Sequence, residues 1–146
     1  MKNIIERSQL LSLPEFVRSR KYWQDELNKK AEETRLPYNY FLTRDYEEQK
    51  HTITFPDNIY EQIEKASKGN MDALLIILLA AYRVLLFRYT GQQGIELGIP
   101  AMIRQNQEHD LYTEQILPVY NTLIPDNNFK ETLKSEKEKV AAAYNH

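Results

Sequence analysis

The sequence predicts a mixed α/β fold, α+β in its layout, with about four helices around a small sheet and a central buried helix over 71–89. Three observations predict it. From Ala73 to Phe87 the only residue that is not apolar is Arg83, so a helix there is greasy nearly all round and belongs in a core. Ile95 to Ile99 then alternates apolar and non-apolar residues, as a strand with one buried face does. Amphipathic helical patterns flank this unit on both sides.

Length and composition set the outer limits. With 146 residues and 42% hydrophobic composition, the chain can form one modest domain with its own core. We expect a single domain over 1–146, with 1–11 as a lead-in. A formal net charge of -2, from 19 basic and 21 acidic residues, provides no basic excess for a phosphate backbone and argues against a nucleic-acid partner. The chain has no cysteine, which rules out disulfides and thiolate chemistry and fits a cytoplasmic protein. Met1 to Arg7 lacks the apolar run of a secretory signal.

Taken in order, Ser12-Leu13-Pro14-Glu15 reads as a helix start, with Ser12 as cap, Glu15 returning the bond and Pro14 in the first turn. The helix is expected to reach about Glu33, with Phe16, Tyr22, Trp23, Leu27 and Ala31 forming one apolar stripe. Trp23 reads as a packing anchor rather than a ligand-stacking ring. From Thr34 to Glu48 the chain is irregular, and Tyr38, Tyr40, Phe41 and Tyr46 make it either a drape over the core or an interface. Lys50 to Phe55 alternates and is β-branched enough to predict a strand, closed by Pro56.

Asp57 is expected to cap a helix to about Lys68, with Ile59, Ile63 and Ala66 on its apolar side and Gly69 ending it. The central helix follows, with Asn70 as cap, Asp72 in its first turn, Arg88 in its last and Gly91 just beyond. Its apolar run is shorter than the ~20 residues a bilayer requires and contains Arg83, so no membrane span is expected. The following strand is expected to stop at Pro100. Gln105 to Asp110 reads as a solvated loop and Leu111 to Val119 as a second strand interrupted by Pro118.

Asn128 with Glu131 predicts a capping box for a last helix, Phe129 to about Asn145. Its contacts are expected at Phe129, Leu133, Val140 and Tyr144, with the polar run Lys134 to Lys139 as a solvated face on which Lys130 repels Lys134. Two or three strands make a poor sheet on their own. We therefore expect completion by a second copy or a neighbouring domain, or an open edge.

Little in the sequence points to chemistry. His51 falls on the apolar side of a predicted strand, where a packed histidine is the commoner case. His109-Asp110 lacks a nucleophile beside it, and neighbours in sequence rarely bond as a triad requires. His146 is the last residue. No spacing matches a metal site, and the four glycines form no phosphate loop. The pairs Glu61 and Glu64, Glu47 and Glu48, and Glu136 and Glu138 read as exposed carboxylates. No catalytic, cofactor-binding or metal-ligating residue is assigned.

The wording of Arg88 to Arg104, RYTGQQGIELGIPAMIR, resembles the condensation domains of nonribosomal peptide synthetases, which carry an apolar helix, "RYSGQ", a short strand and "G-x-P-x-x-x-R". The corresponding residues are Arg88, Tyr89, Gly91, Gln92, Gly98, Pro100 and Arg104. Tyr22-Trp23 followed by Leu27 is similar to the "YW…L" that opens the family's second lobe, and Leu36-Pro37 falls where an "LP" follows. Leu117-Pro118 resembles the "LP" of "F-x-N-T-L-P-x-R", which sets the "NT" on Gln115-Ile116 and the arginine on Tyr120. Phe129 to Leu133 resembles "SF-x-x-L". These motif residues, Pro118 included, read as structural; Arg104 in particular is expected to tie its loop to a carboxylate or carbonyls rather than to touch a tunnel or carrier.

The resemblance implies a chloramphenicol acetyltransferase-like, two-lobed architecture with a catalytic HHxxxDG in the first lobe. That motif is absent from this sequence. The chain is thus expected to be part of the second lobe, beginning where that lobe begins and stopping before its "PFE". Two functions follow from the resemblance. One is a truncated, non-catalytic domain acting as a structural or interaction module beside a downstream adenylation domain or other synthetase domains. The other is half of a condensation domain, which would form amide bonds between carrier-bound substrates once the HHxxxDG lobe is supplied. Phosphopantetheine would enter only on the carriers of a full synthetase, and a homo-oligomer could form through an open sheet edge.

Overall fold

The computed structural model describes residues 12–29, 34, 36, 52–105 and 109–146, leaving aside the side chains of 102–114. Among these residues the order is α1 (Pro14–Leu27), α2 (Asp57–Ser67), α3 (Met71–Thr90), β1 (Gly94–Gln105), β2 (His109–Thr122) and α4 (Phe129–Asn145). Four helices and a two-stranded antiparallel sheet make the mixed architecture that the alternation of patterns predicts.

α3 forms as its ends dictate. The Asn70 side chain accepts from the Ala73 amide at 2.8 Å, and Gly91 adopts the left-handed conformation (φ 73) that closes the helix, its N–H donating to the Phe87 carbonyl at 2.7 Å. Glycine takes that conformation without the Cβ penalty that other residues incur. The burial of α3 is one-sided, which corrects the expectation of a helix enclosed all round. Ala80, Arg83 and Leu86 are buried, while Met71, Leu78, Tyr82, Leu85 and Tyr89 are exposed.

The hairpin is longer than its sequence suggests. β1 runs through Pro100 to Gln105, and β2 begins at His109 and contains Pro118 opposite Gly98, so neither proline ends a strand, and Gln105, His109 and Asp110 of the expected solvated loop are strand residues, the rest of it lying outside the described residues. The register shifts between Pro100 and Met102. Proline lacks a ladder donor and is at home beside such an irregularity or on an edge, and among the described residues each strand of this sheet is an edge. Ile95, Leu97 and Ile99 from β1 and Val119, Asn121 and Leu123 around the end of β2 turn inward. Glu96, Gly98 and Tyr120 lie on the opposite face by the period-two rule.

Three other expectations need correction. α1 ends at Leu27 rather than near Glu33, and its N-cap is Leu13, with no side-chain cap bond. Residues 52–56 have no regular structure, and Ile53 is 83% exposed. Alternation alone does not make a strand, and among the described residues no neighbour completes a ladder there. α2 has Pro56 as its N-cap, with Asp57 as its first residue, and ends at Lys68 in the left-handed conformation (φ 52). Lys50, His51, the aromatic stretch Tyr38 to Tyr46 and the remaining lead-in lie outside the described residues.

α4 matches its expected limits, Phe129–Asn145, and its capping box is complete. The Glu131 amide donates to Asn128 Oδ1 at 3.1 Å, and the Asn128 amide donates to Glu131 Oε2 at 2.9 Å. An Asn128→Ala change is expected to cost about 1 kcal/mol of unfolding free energy, the usual value of such a cap, read from the urea midpoint. Two apolar clusters hold the layers together. Ile99, Val119, Val140 and Ala143 pack with Trp23, Ile76 and Tyr144, while Leu86, Ile95 and Leu97 pack with Phe87, and Leu79 touches both.

Candidate functional site

The most chemically distinctive place in the structure is a charged node inside the core. Arg83 on α3 and Glu136 on α4 are both 0% exposed. Arg83 Nε donates to Glu136 Oε2 at 2.8 Å, and Nη2 donates to Oε1 at 2.9 Å. The remaining guanidinium donors reach the Ile95 carbonyl of β1 and, at 3.4 Å, the Val119 carbonyl of β2. Asn121 Nδ2 donates to Glu136 Oε2 at 3.0 Å, and Asn121 Oδ1 accepts from Ser135 Oγ at 3.1 Å and from the Thr122 amide at 2.9 Å. One arginine therefore joins α3 to α4 and to both strands at once. Its planar fork suits such fixed, multiple acceptors better than a lysine would.

The polar run of α4 predicts Glu136 on a solvated face, and the structure contradicts this. The buried positions of α4 are Thr132, Glu136, Val140 and Ala143, a helical stripe on which the glutamate takes a core place. Its partner, Arg83, is the one non-apolar residue of the α3 run, and that is the clue the sequence holds. An unpaired charge at such a place is prohibitive, so a buried arginine calls for a carboxylate elsewhere in the chain. Which carboxylate it is cannot be read from spacing.

The motif residues are spread over the structure rather than gathered. Tyr22 meets Trp23 edge-on, with ring centroids 5.1 Å apart, and stacks on His146 at 4.5 Å. Burial pushes the Tyr22 hydroxyl above the usual tyrosine range, and Glu26 adds to this. Trp23 packs on the first cluster, as an anchor does. Arg88 and Tyr89 are exposed, Gly91 is the cap of α3, and the Gln92 amide donates to Thr90 Oγ1 at 3.1 Å. Gly98 faces Pro118, and a β-carbon there would stand 2.6 Å from Ile116 Cγ2. The Pro100 carbonyl accepts from the Tyr144 hydroxyl at 3.0 Å, whose ionisation burial and the nearby Asp72 charge oppose, raising its pKa. Arg104 pairs with Asp110 in the hairpin backbone, but its side chain lies outside the described residues, as does that of His109.

One alignment looks different in three dimensions. Asn-Thr-Leu occurs literally at Asn121-Thr122-Leu123, later than the Gln115-Ile116 on which the pattern is set by its "LP". Gln115 and Ile116 are exposed, whereas Asn121 and Leu123 are buried, so the later position is where such a motif has structural work. A groove of about 870 Å³ opens beside the starts of α3 and α4, with Ala73, Ile76 and Leu133 as floor and both charge signs, Asp72, Glu131, Lys130 and Lys134, around it. Among the described residues no histidine lines it. Among the described residues no helix is long and apolar enough to cross a membrane.

Against known proteins, the family model described as "Condensation domain" matches residues 2–146, and the chain belongs to that family. It is 35% identical over 103 residues to a linear gramicidin synthase of Brevibacillus parabrevis, covering 66% of this chain. It is 30% identical over 134 residues, covering 86%, to another linear gramicidin synthase of the same organism, and 27% identical over 139 residues, covering 89%, to bacitracin synthase 1 of Bacillus licheniformis. The chain spans only 2%, 3% and 3% of those three proteins. The four helices and small sheet fit part of a condensation-domain lobe.

Proposed function

We propose that this chain is a truncated, non-catalytic condensation-like domain of a nonribosomal peptide synthetase, serving as a structural or interaction module beside an adenylation domain. The observation that carries the reading is the sequence itself. A second-lobe pattern runs from Tyr22 to His146, while the three histidines, His51, His109 and His146, stand apart and none belongs to an HHxxxDG. The scatter of the motif residues supports it, because Trp23, Gly91, Gly98, Pro100 and Pro118 all have packing or backbone roles. The buried ion pair is a poor candidate for chemistry on a substrate, since both side chains are fully buried and the Arg83 fork holds both carboxylate oxygens.

A second reading rests on the retained pattern from Arg88 to Arg104. In it the chain is half of a condensation enzyme and joins a carrier-bound acyl donor to an amino-acid acceptor through a histidine on the other lobe. The two readings separate in one assay. The purified chain is mixed with a separately expressed amino-terminal lobe bearing HHxxxDG and with donor and acceptor carrier proteins loaded with amino acids. The proposal expects no dipeptide above the level seen without this chain. Dipeptide that appears only when this chain is added overturns it in favour of the half-enzyme.

A further inference from the structure

We infer that the hairpin can pair in two registers two residues apart, and that the buried contact of Asn121 with the Arg83–Glu136 pair is the lock that holds its core-facing block in the register observed.

The two blocks of the hairpin are already out of step. From Gly94↔Thr122 to Pro100↔Ile116 the strands pair in one register, and from Met102↔Tyr112 to Gln105↔His109 they pair in another. Between the blocks β1 goes from Pro100 to Met102, two residues, while β2 goes from Ile116 to Tyr112, four. Two residues of β2 are therefore held in excess at the irregularity. Carrying the second block's register through to Gly94 would take them into the ladder and slide the rest of β2 by two residues, about 7 Å at the usual rise of a strand.

A slide of two residues keeps each residue on its own face, unlike a slide of one. On the inner face Ile95 would meet Val119 in place of Asn121, and Leu97 would meet Leu117 in place of Val119, so apolar burial discriminates poorly between the registers. On the outer face the glycines of β1 are already overhung by the residues they would then oppose. A β-carbon on Gly94 would collide with the Tyr120 hydroxyl, and one on Gly98 would stand 2.6 Å from Ile116 Cγ2. After the slide Gly94 would pair with Tyr120 and Gly98 with Ile116. Ile124, Pro125 and Asp126, on the link from β2 to α4, are exposed and can take up the displacement.

What separates the registers is the one polar residue in the inward row Leu117, Val119, Asn121 and Leu123. Asn121 Nδ2 donates to Glu136 Oε2 at 3.0 Å, and its Oδ1 accepts from Ser135 Oγ at 3.1 Å, both on α4. Glu136 is held in turn by Arg83 of α3, which also reaches one carbonyl on each strand, those of Ile95 and Val119. A displacement of about 7 Å breaks every α4 contact of Asn121, whereas the apolar contacts find substitutes. A lone buried asparagine sets the register of coiled coils in the same way.

The experiment compares two disulfide reporters in the full chain, which has no cysteine of its own. Tyr120→Cys with Glu96→Cys joins positions directly opposite in the observed register, and Tyr120→Cys with Gly94→Cys joins positions opposite only after the slide. With the native core, the 96/120 pair is expected to close at least about tenfold faster under mild oxidation, because only opposed β-carbons come within disulfide reach. Adding Asn121→Leu should cut that preference to about threefold or less, with the far-UV circular dichroism unchanged. A preference that stays above this value overturns the inference, because the register would then be set without Asn121. So does a weaker than tenfold preference in the native core, which would mean that nothing is locked. Should Asn121→Leu fail to fold, the apolar core Arg83→Met, Asn121→Leu and Glu136→Leu is read in the same way. Failure of both to fold overturns the inference too, since the node would then hold the fold together rather than choose between its registers.

Discussion

Glu136→Leu is expected to destabilise the protein by about 3–5 kcal/mol, the cost of leaving one partner of a buried ion pair uncompensated. In the native chain, four groups from α3, both strands and α4 close on one another with no water-exposed member at the centre: the Arg83 guanidinium, the Glu136 carboxylate, the Ile95 carbonyl and the Asn121 amide. Removing the carboxylate leaves Arg83 with two backbone carbonyls and strands the Asn121 donor. Because typical domains are stable by only ~5–15 kcal/mol, such a loss is a large fraction of the whole. The double variant Arg83→Met with Glu136→Leu is expected to be more stable than either single change, since a matched apolar pair avoids the desolvation that the ion pair incurs. Urea unfolding of the four proteins gives the coupling directly. Additive losses would mean that the two side chains do not act as a unit.

Ile99→Ala is expected to cost about 2–5 kcal/mol, because it removes a fully packed side chain and leaves a cavity. Ile99 is 1% exposed and sits where Val119, Val140 and Ala143 meet, so neighbours from β2 and α4 would both lose contacts. Ile116 lies on the outer face of the same hairpin, opposite Pro100, and is 72% exposed. Its change to alanine is expected to stay within about 0.5 kcal/mol. The contrast tests which face of the sheet is the core. Equal losses at the two sites would place the hairpin in another register.

Where the sequence carries local signals, it yields the structure closely. Asn70, Gly91 and the Asn128–Glu131 box act within a turn of their own positions, and they set the ends of α3 and α4. Strands depend on partners distant in the chain. Thr52 to Phe55 has strand-like alternation without regular structure, and Pro100 and Pro118 have breaker chemistry inside a long hairpin whose irregular register accommodates them. Glu136 shows the same limit for side chains. In a polar run it looks solvated, and only the arrival of Arg83 from a remote helix makes its burial tolerable. The family motif is readable from Arg88 to Arg104, yet its quoted residues do not converge on one place, and the node that does unite the elements takes only the Ile95 carbonyl from that stretch.

The reading of this chain as a non-catalytic module is tested most directly by the sequence of its parent gene on both sides of the segment. The account predicts an adenylation domain after it and no HHxxxDG lobe before it or on an adjacent gene. An HHxxxDG lobe in either place would contradict the account and make these 146 residues half of a working condensation enzyme.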